Sequence, residues 1–176
     1  ETEEEYTVDE ETSLDEHIIE VEINKSALIN LFEGALIEGV RKGASDIQQA
    51  LGEAGLIEYF EGKTSLYLCY LSKDTLVFSK IEGRNEIVDV FMKAVKNPLL
   101  NRAMAQSGYQ LYEQLFQPLF GLPLPEKLFI VPDGRLTQIP FDALCRAPAL
   151  VESRPAYLLH QHQISYAYSA SVLFQK

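Results

Sequence analysis

Leu128-Phe129-Ile130-Val131-Pro132-Asp133-Gly134-Arg135-Leu136-Thr137-Gln138-Ile139-Pro140-Phe141-Asp142-Ala143-Leu144 is the stretch in which local chemistry and apolar pattern agree best. Residues 128–131 are an unbroken apolar run, which suits a strand covered on both faces in a mostly parallel sheet. The run predicts an interior strand. Pro132 presets φ for a turn, Asp133 can bond back to the backbone, and Gly134 supplies positive φ, so the strand stops there for three separate reasons. Leu136, Ile139, Phe141 and Leu144 then return apolar groups to the core, while Pro140 forbids a continuous helix through them.

Upstream of this stretch the pattern alternates between the two periods of regular structure. Ser45-Asp46-Ile47-Gln48 has the form of a capping box, in which Ser45 accepts from the third helical amide and Gln48 reaches back, and predicts a short helix to Leu51. Residues 56–60, 64–72 and 75–81 read as strands joined by Glu61-Gly62-Lys63 and Lys73-Asp74, an antiparallel meander. Residues 86–96 carry Ile87, Val90, Phe91, Ala94 and Val95 at helical spacing and stop at Asn97-Pro98. A second helix over residues 99–117 has Leu111, Tyr112, Leu115 and Phe116 as its buried side, with Gly108 permitting a bend or close packing. Pro118, Gly121, Pro123 and Pro125 force an irregular connection into the interior strand.

Downstream, residues 146–155 are a polar, Pro-containing loop, residues 157–160 a short extended segment, and residues 163–168 a strand. Ser169 is placed to cap a further helix. Toward the N-terminus, residues 17–23 alternate like a half-buried strand and residues 24–42 have helical spacing. Residues 1–16 are dominated by Glu, Asp and Thr and read as an acidic, disordered tail or linker. Strands alternating with helices predict an α/β fold, a mixed β-sheet with helices on its faces.

The length of 176 residues allows one domain with a sizeable core and excludes two large ones. A formal net charge of -11 argues against nucleic-acid binding, which needs a basic face. No apolar stretch is long enough to span a bilayer, so no membrane partner is expected. The two cysteines, Cys69 and Cys145, show no CxxC spacing, which suggests neither a zinc site nor a disulfide framework and makes a reducing cytoplasm the expected location. No Gly-rich phosphate loop is present, and no cofactor is expected.

The run LFIVPDGRLTQIPFDAL, followed by Tyr157-Leu158-Leu159 and by Ile164-Ser165-Tyr166-Ala167-Tyr168-Ser169-Ala170-Ser171, resembles the first half of a CHAT domain, the caspase-like module often found behind tetratricopeptide repeats. Leu56-Ile57-Glu58-Tyr59-Phe60-Glu61-Gly62, followed by residues 66–71, fits the opening strands of the same family. The resemblance covers roughly residues 45–176. It implies a caspase-like sheet and, in the parent protein, a cysteine endopeptidase related to caspases and separase, acting on a protein or peptide substrate through a histidine and cysteine dyad. The family's His-Gly motif and catalytic Cys would both fall after Lys176. The chain is therefore expected to be the N-terminal, scaffold half, incomplete at the C-terminus of the fold and inactive alone, with the downstream catalytic half as its partner. Residues 17–44 would then be a strand and helix joining it to an upstream repeat region. A non-catalytic protein-binding or scaffolding module of the same fold is the alternative.

The residues themselves offer few substitutes for that dyad. Cys69 sits among Leu68, Tyr70 and Leu71 in a predicted strand and reads as a small hydrophobe. Cys145 lies in a predicted loop, where it is expected to be more exposed than Cys69, beside Arg146, which would lower its pKa, and the loop is long enough to bring it toward His160. Cys145 and His160 are thus the fallback catalytic pair. His160 and His162 form His-x-His on a predicted strand, which would place both rings on one face, but no third metal ligand is near in sequence and no metal site is expected. Asp133 and Asp142 are each explained by local turn chemistry.

Overall fold

The computed structural model describes residues 44–62, 65–81, 86–148 and 154–173. The expectations for residues 1–16 and for the strand and helix over residues 17–42 lie outside them. Among the described residues five strands form one mixed sheet: β1 (Gly55–Glu61), β2 (Leu66–Ser72), β3 (Thr75–Ile81), β4 (Lys127–Val131) and β5 (Gln163–Tyr166), in the order β3-β2-β1-β4-β5. The first three are the predicted antiparallel meander, and β1, β4 and β5 run parallel, with Ile57 beside Ile130 and Ile130 beside Tyr166. β4 is the interior strand expected from its apolar run, with Leu128, Ile130 and Val131 all buried. Helices α1 (Ala44–Leu51), α2 (Glu86–Val95), α3 (Asn101–Phe116) and α4 (Ala170–Leu173) complete the α/β architecture.

The two-residue period of the strands assigns the sheet faces. On one face Ile57, Tyr59, Leu68, Tyr70, Leu128 and Ile130 join Val88 and Phe91 of α2 and Leu111, Leu115 and Phe116 of α3 in a single buried cluster. The Tyr59 hydroxyl donates to the Leu115 carbonyl at 3.3 Å, tying β1 to α3. Gly108 serves close packing: a Cβ there would come within 3.1 Å of the Phe91 ring. On α2 the buried stripe is Val88, Phe91 and Ala94, and Val90 is exposed. The predicted stripe included Val90, yet residues 88 and 91 share a turn-to-turn row that residue 90 leaves by most of a half turn. Leu56, Glu58, Cys69, Leu71 and Val131 fall on the opposite face, whose β2 region lies against α1.

Local expectations failed where a side chain found a distant partner. The Gln48 amide donates to the carbonyls of Ser72 at 2.7 Å and Thr75 at 3.3 Å instead of closing a capping box, so it pins the β2–β3 turn to α1. The second helix begins later than predicted. Asn97 accepts from the Leu99 amide at 3.0 Å and starts a 3-10 turn over Pro98–Leu100, which leaves Leu99 exposed. Residues 157–160 are not an extended segment. Tyr157 makes an isolated bridge to Cys145, with the Leu158 amide donating to the Leu144 carbonyl at 2.8 Å, and Leu158–His160 is a 3-10 turn closed by the His160 amide on Tyr157 at 3.1 Å and the Gln161 amide on Leu158 at 3.0 Å.

Candidate functional site

The parallel strands β1, β4 and β5 end on one edge of the sheet, the edge at which open α/β sheets bind ligands. The Pro132-Asp133-Gly134 turn closes β4 there, and Gly134 has the predicted positive φ, +54°. Asp133 does not cap its own turn. Its Oδ2 accepts from the Glu61 amide at 2.9 Å, and the Arg135 amide donates back to Glu61 Oε2 at 2.9 Å. The end of β1 and the turn after β4 are thereby locked reciprocally. Gly134 is needed twice, since a Cβ at that position would also overlap the Glu61 carboxylate. Arg135 carries the lock outward by pairing with Asp89 of α2, whose carboxyl is held below its usual range by the bond from the guanidinium.

After the turn, 3-10 segments Gly134–Gln138 and Phe141–Ala143 flank Pro140, and Leu136, Ile139, Phe141 and Leu144 are all buried as expected. Phe141 stacks on Tyr59 with centroids 5.4 Å apart and packs tilted against Tyr166 at 6.4 Å. The Tyr166 hydroxyl donates to Asp142 Oδ1 at 2.8 Å and accepts from the Phe141 amide at 2.8 Å. Burial, with the Asp142 carboxylate behind it, pushes that phenol up to about 12. Asp133 and Asp142 are each engaged with a distant strand, which corrects their reading as local turn residues.

Glu58 is the residue that sequence reasoning missed. It lies in the middle of β1 beside Cys69 and Val131, on the face opposite Tyr166. Its Oε2 is buried and has no hydrogen-bond partner among the described residues, while its carboxyl accepts from the Ala170 amide at the start of α4. Burial pushes its pKa up to about 7, the Ala170 bond pulls it down, and the nearby Asp133 carboxylate raises it further. At neutral pH this acid is poised between its two protonation states, the condition for proton transfer or for receiving a donor or cation. The signal was present in Leu56-Ile57-Glu58-Tyr59-Phe60: a charged residue inside a strand otherwise apolar on both faces.

The fallback pair fares differently. Cys145 is fully buried, not exposed in a loop, because the bridge to Tyr157 and the Arg146 amide bond to Ala156 at 2.9 Å fold the chain over it. Burial pushes its thiol up to about 11. Cys69 is buried in β2 as expected, and burial with the Glu58 carboxyl pushes its thiol up to about 12. Thiols so raised hold almost no thiolate at neutral pH, the opposite of an activated nucleophile. His160 is exposed at the end of its 3-10 turn with its ring edge-on to Tyr157. His162 donates from Nδ1 to the Pro125 carbonyl at 2.8 Å, so the two histidines do not share a strand face. Among the described residues no helix is long and apolar enough to cross a membrane.

No curated protein matches the chain. The family model of the CHAT domain matches residues 105–176, the span from α3 through β4, the Pro132-Asp133-Gly134 turn and β5. β4, the turn after it and β5 lie inside the matched region, while β1, which supplies Glu61 to the lock, lies before it, and residues 105–176 of this chain are thus similar to a CHAT domain.

Proposed function

We propose that the chain acts as the N-terminal scaffold half of a CHAT-type caspase-like cysteine protease whose imidazole and thiol come from segments outside it. The observation that carries this reading is the state of the two cysteines: both are buried, and both thiols are pushed far above neutrality. The open sheet adds support. Among the described residues β5 is an edge strand with Gln163, Ser165 and Tyr166 exposed, and such an edge is a template on which a further strand can pair. In this reading the Asp133, Glu61 and Arg135 lock and the Tyr166–Asp142 bond hold the strand ends rigid beneath the catalytic groups. The substrate is a protein or peptide, the location cytoplasmic, and an upstream repeat region a further partner.

The test incubates the purified chain with peptide libraries and a thiol-directed covalent probe, beside Cys145→Ala and His160→Ala variants and beside a longer protein carrying the family's His-Gly and Cys motifs. Turnover by the longer protein alone is the expected result. Turnover by this chain that both substitutions abolish would overturn the scaffold reading, and inactivity of both proteins would favour the non-catalytic binding module.

A further inference from the structure

The opposite edge of the sheet, where β4 and β5 begin, holds a cavity of about 630 Å³, within the range of small-molecule sites. One wall is apolar: Tyr112, Phe120, Leu122 and Leu124. Phe120 is 51% exposed, yet its ring is fixed against Tyr112 with centroids 5.8 Å apart, and Tyr112 in turn stacks on Phe116 at 4.9 Å. The connection that carries this wall is stiff. Gly121 turns at φ +87°, the Leu122 amide donates to Leu119 at 3.1 Å, and Pro118, Pro123 and Pro125 fix its φ angles. His162, bonded through Nδ1 to Pro125, is a further fixed part of the lining.

Two opposite charges complete the cavity. Arg146 and Glu126 both line it, and neither side chain makes an ion pair or hydrogen bond among the described residues, including with the other. A rigid apolar wall flanked by an unpaired guanidinium and an unpaired carboxylate is complementary to a ligand that carries both charges and one large apolar group. We propose that this cavity binds a zwitterionic ligand of that kind, an apolar α-amino acid or a dipeptide-sized peptide. The ligand's carboxylate meets Arg146, its ammonium meets Glu126, and its side chain lies on Phe120 and Leu122. The proposal does not depend on the protease reading, because the site lies at the other end of the parallel strands.

Calorimetry and NMR titration of the whole chain test it with L-phenylalanine, L-leucine, the dipeptide Phe-Leu, N-acetyl-phenylalanine and phenylalanine methyl ester. The zwitterions should bind, and the acetyl and ester probes, each lacking one charge, should bind at least about tenfold more weakly. Glu126→Gln should weaken the zwitterions while leaving N-acetyl-phenylalanine unchanged, and Arg146→Met should spare the ester in the same way. A dipeptide that outcompetes the free amino acids assigns the site to peptides, and the reverse order assigns it to amino acids. Absence of binding at millimolar concentration, or acetyl and ester probes that bind as tightly as the zwitterion, would overturn the proposal. The probe comparison is made on unmodified protein, so it stands even if a variant loses stability.

Discussion

Replacing Glu58 by Gln should make the protein's stability less dependent on pH, in a defined direction and window. The carboxyl moves from its ordinary 4.5 to about 7 in the folded chain. Below 4.5 both folded and unfolded states hold the proton, and the group adds no pH dependence. Between 4.5 and about 7 the unfolded chain releases the proton while the folded chain keeps it, so stability falls as pH rises. Above that window both states are ionised and the loss is complete. At about 1.4 kcal/mol per pH unit the full shift corresponds to a loss on the order of 3–4 kcal/mol, of which about 2–3 kcal/mol falls between about pH 5 and 8. Glutamine keeps the shape and the acceptor for the Ala170 amide but does not titrate. Urea melts of wild type and Glu58→Gln at several pH values between about 5 and 8 should show the variant gaining that amount relative to wild type as pH rises. Asp133 and Cys69 also neighbour the group, and the Cys69 thiol, at about 12, titrates outside this window. A stability difference that stays flat across the window, or that shifts in favour of wild type as pH rises, would refute the account of Glu58.

Other substitutions probe the frame around it. Ile130 is fully buried in β4, so Ile130→Ala should cost about 2–5 kcal/mol in denaturant melts, and a loss below about 0.5 kcal/mol would reject its place in the core. Gly134→Ala adds a Cβ at positive φ against the Glu61 carboxylate and should lower stability by about 1–3 kcal/mol, with part of the loss recovered when Glu61 is also shortened to Ala. Tyr166→Phe strips the Phe141 amide and Asp142 of their partner and should cost about 1–3 kcal/mol, whereas Asp142→Asn, which still accepts, should cost less. Both cysteines should resist a thiol reagent in the folded protein at neutral pH and react in denaturant; rapid native labelling of either would show that its thiol is accessible and partly ionised.

Much of the frame was legible in the sequence because it is set by short-range chemistry. The apolar run at Leu128 and its neighbours, the positive φ of Gly134, the meander with its turns, and the buried side of α3 each follow from a period or a turn preference that acts over a few residues. The CHAT resemblance was carried by the order of those patterned segments, and the matched residues 105–176 contain the most distinctive of them. What the sequence could not decide is where polar side chains find partners. Glu61 meets Arg135 across 74 positions, Asp133 meets Glu61 across 72, and Tyr166 meets Asp142 across 24. Cys145 looked exposed beside Arg146 until the bridge to Tyr157 covered it, and Glu58 looked like one polar residue in a strand until Ala170 and Asp133 surrounded it. Periodicity reports which face a residue occupies. The pKa of a carboxyl or a thiol depends on how much water remains around it and which charges lie within a few ångströms, and only the packing of β1, β4 and α4 fixes those.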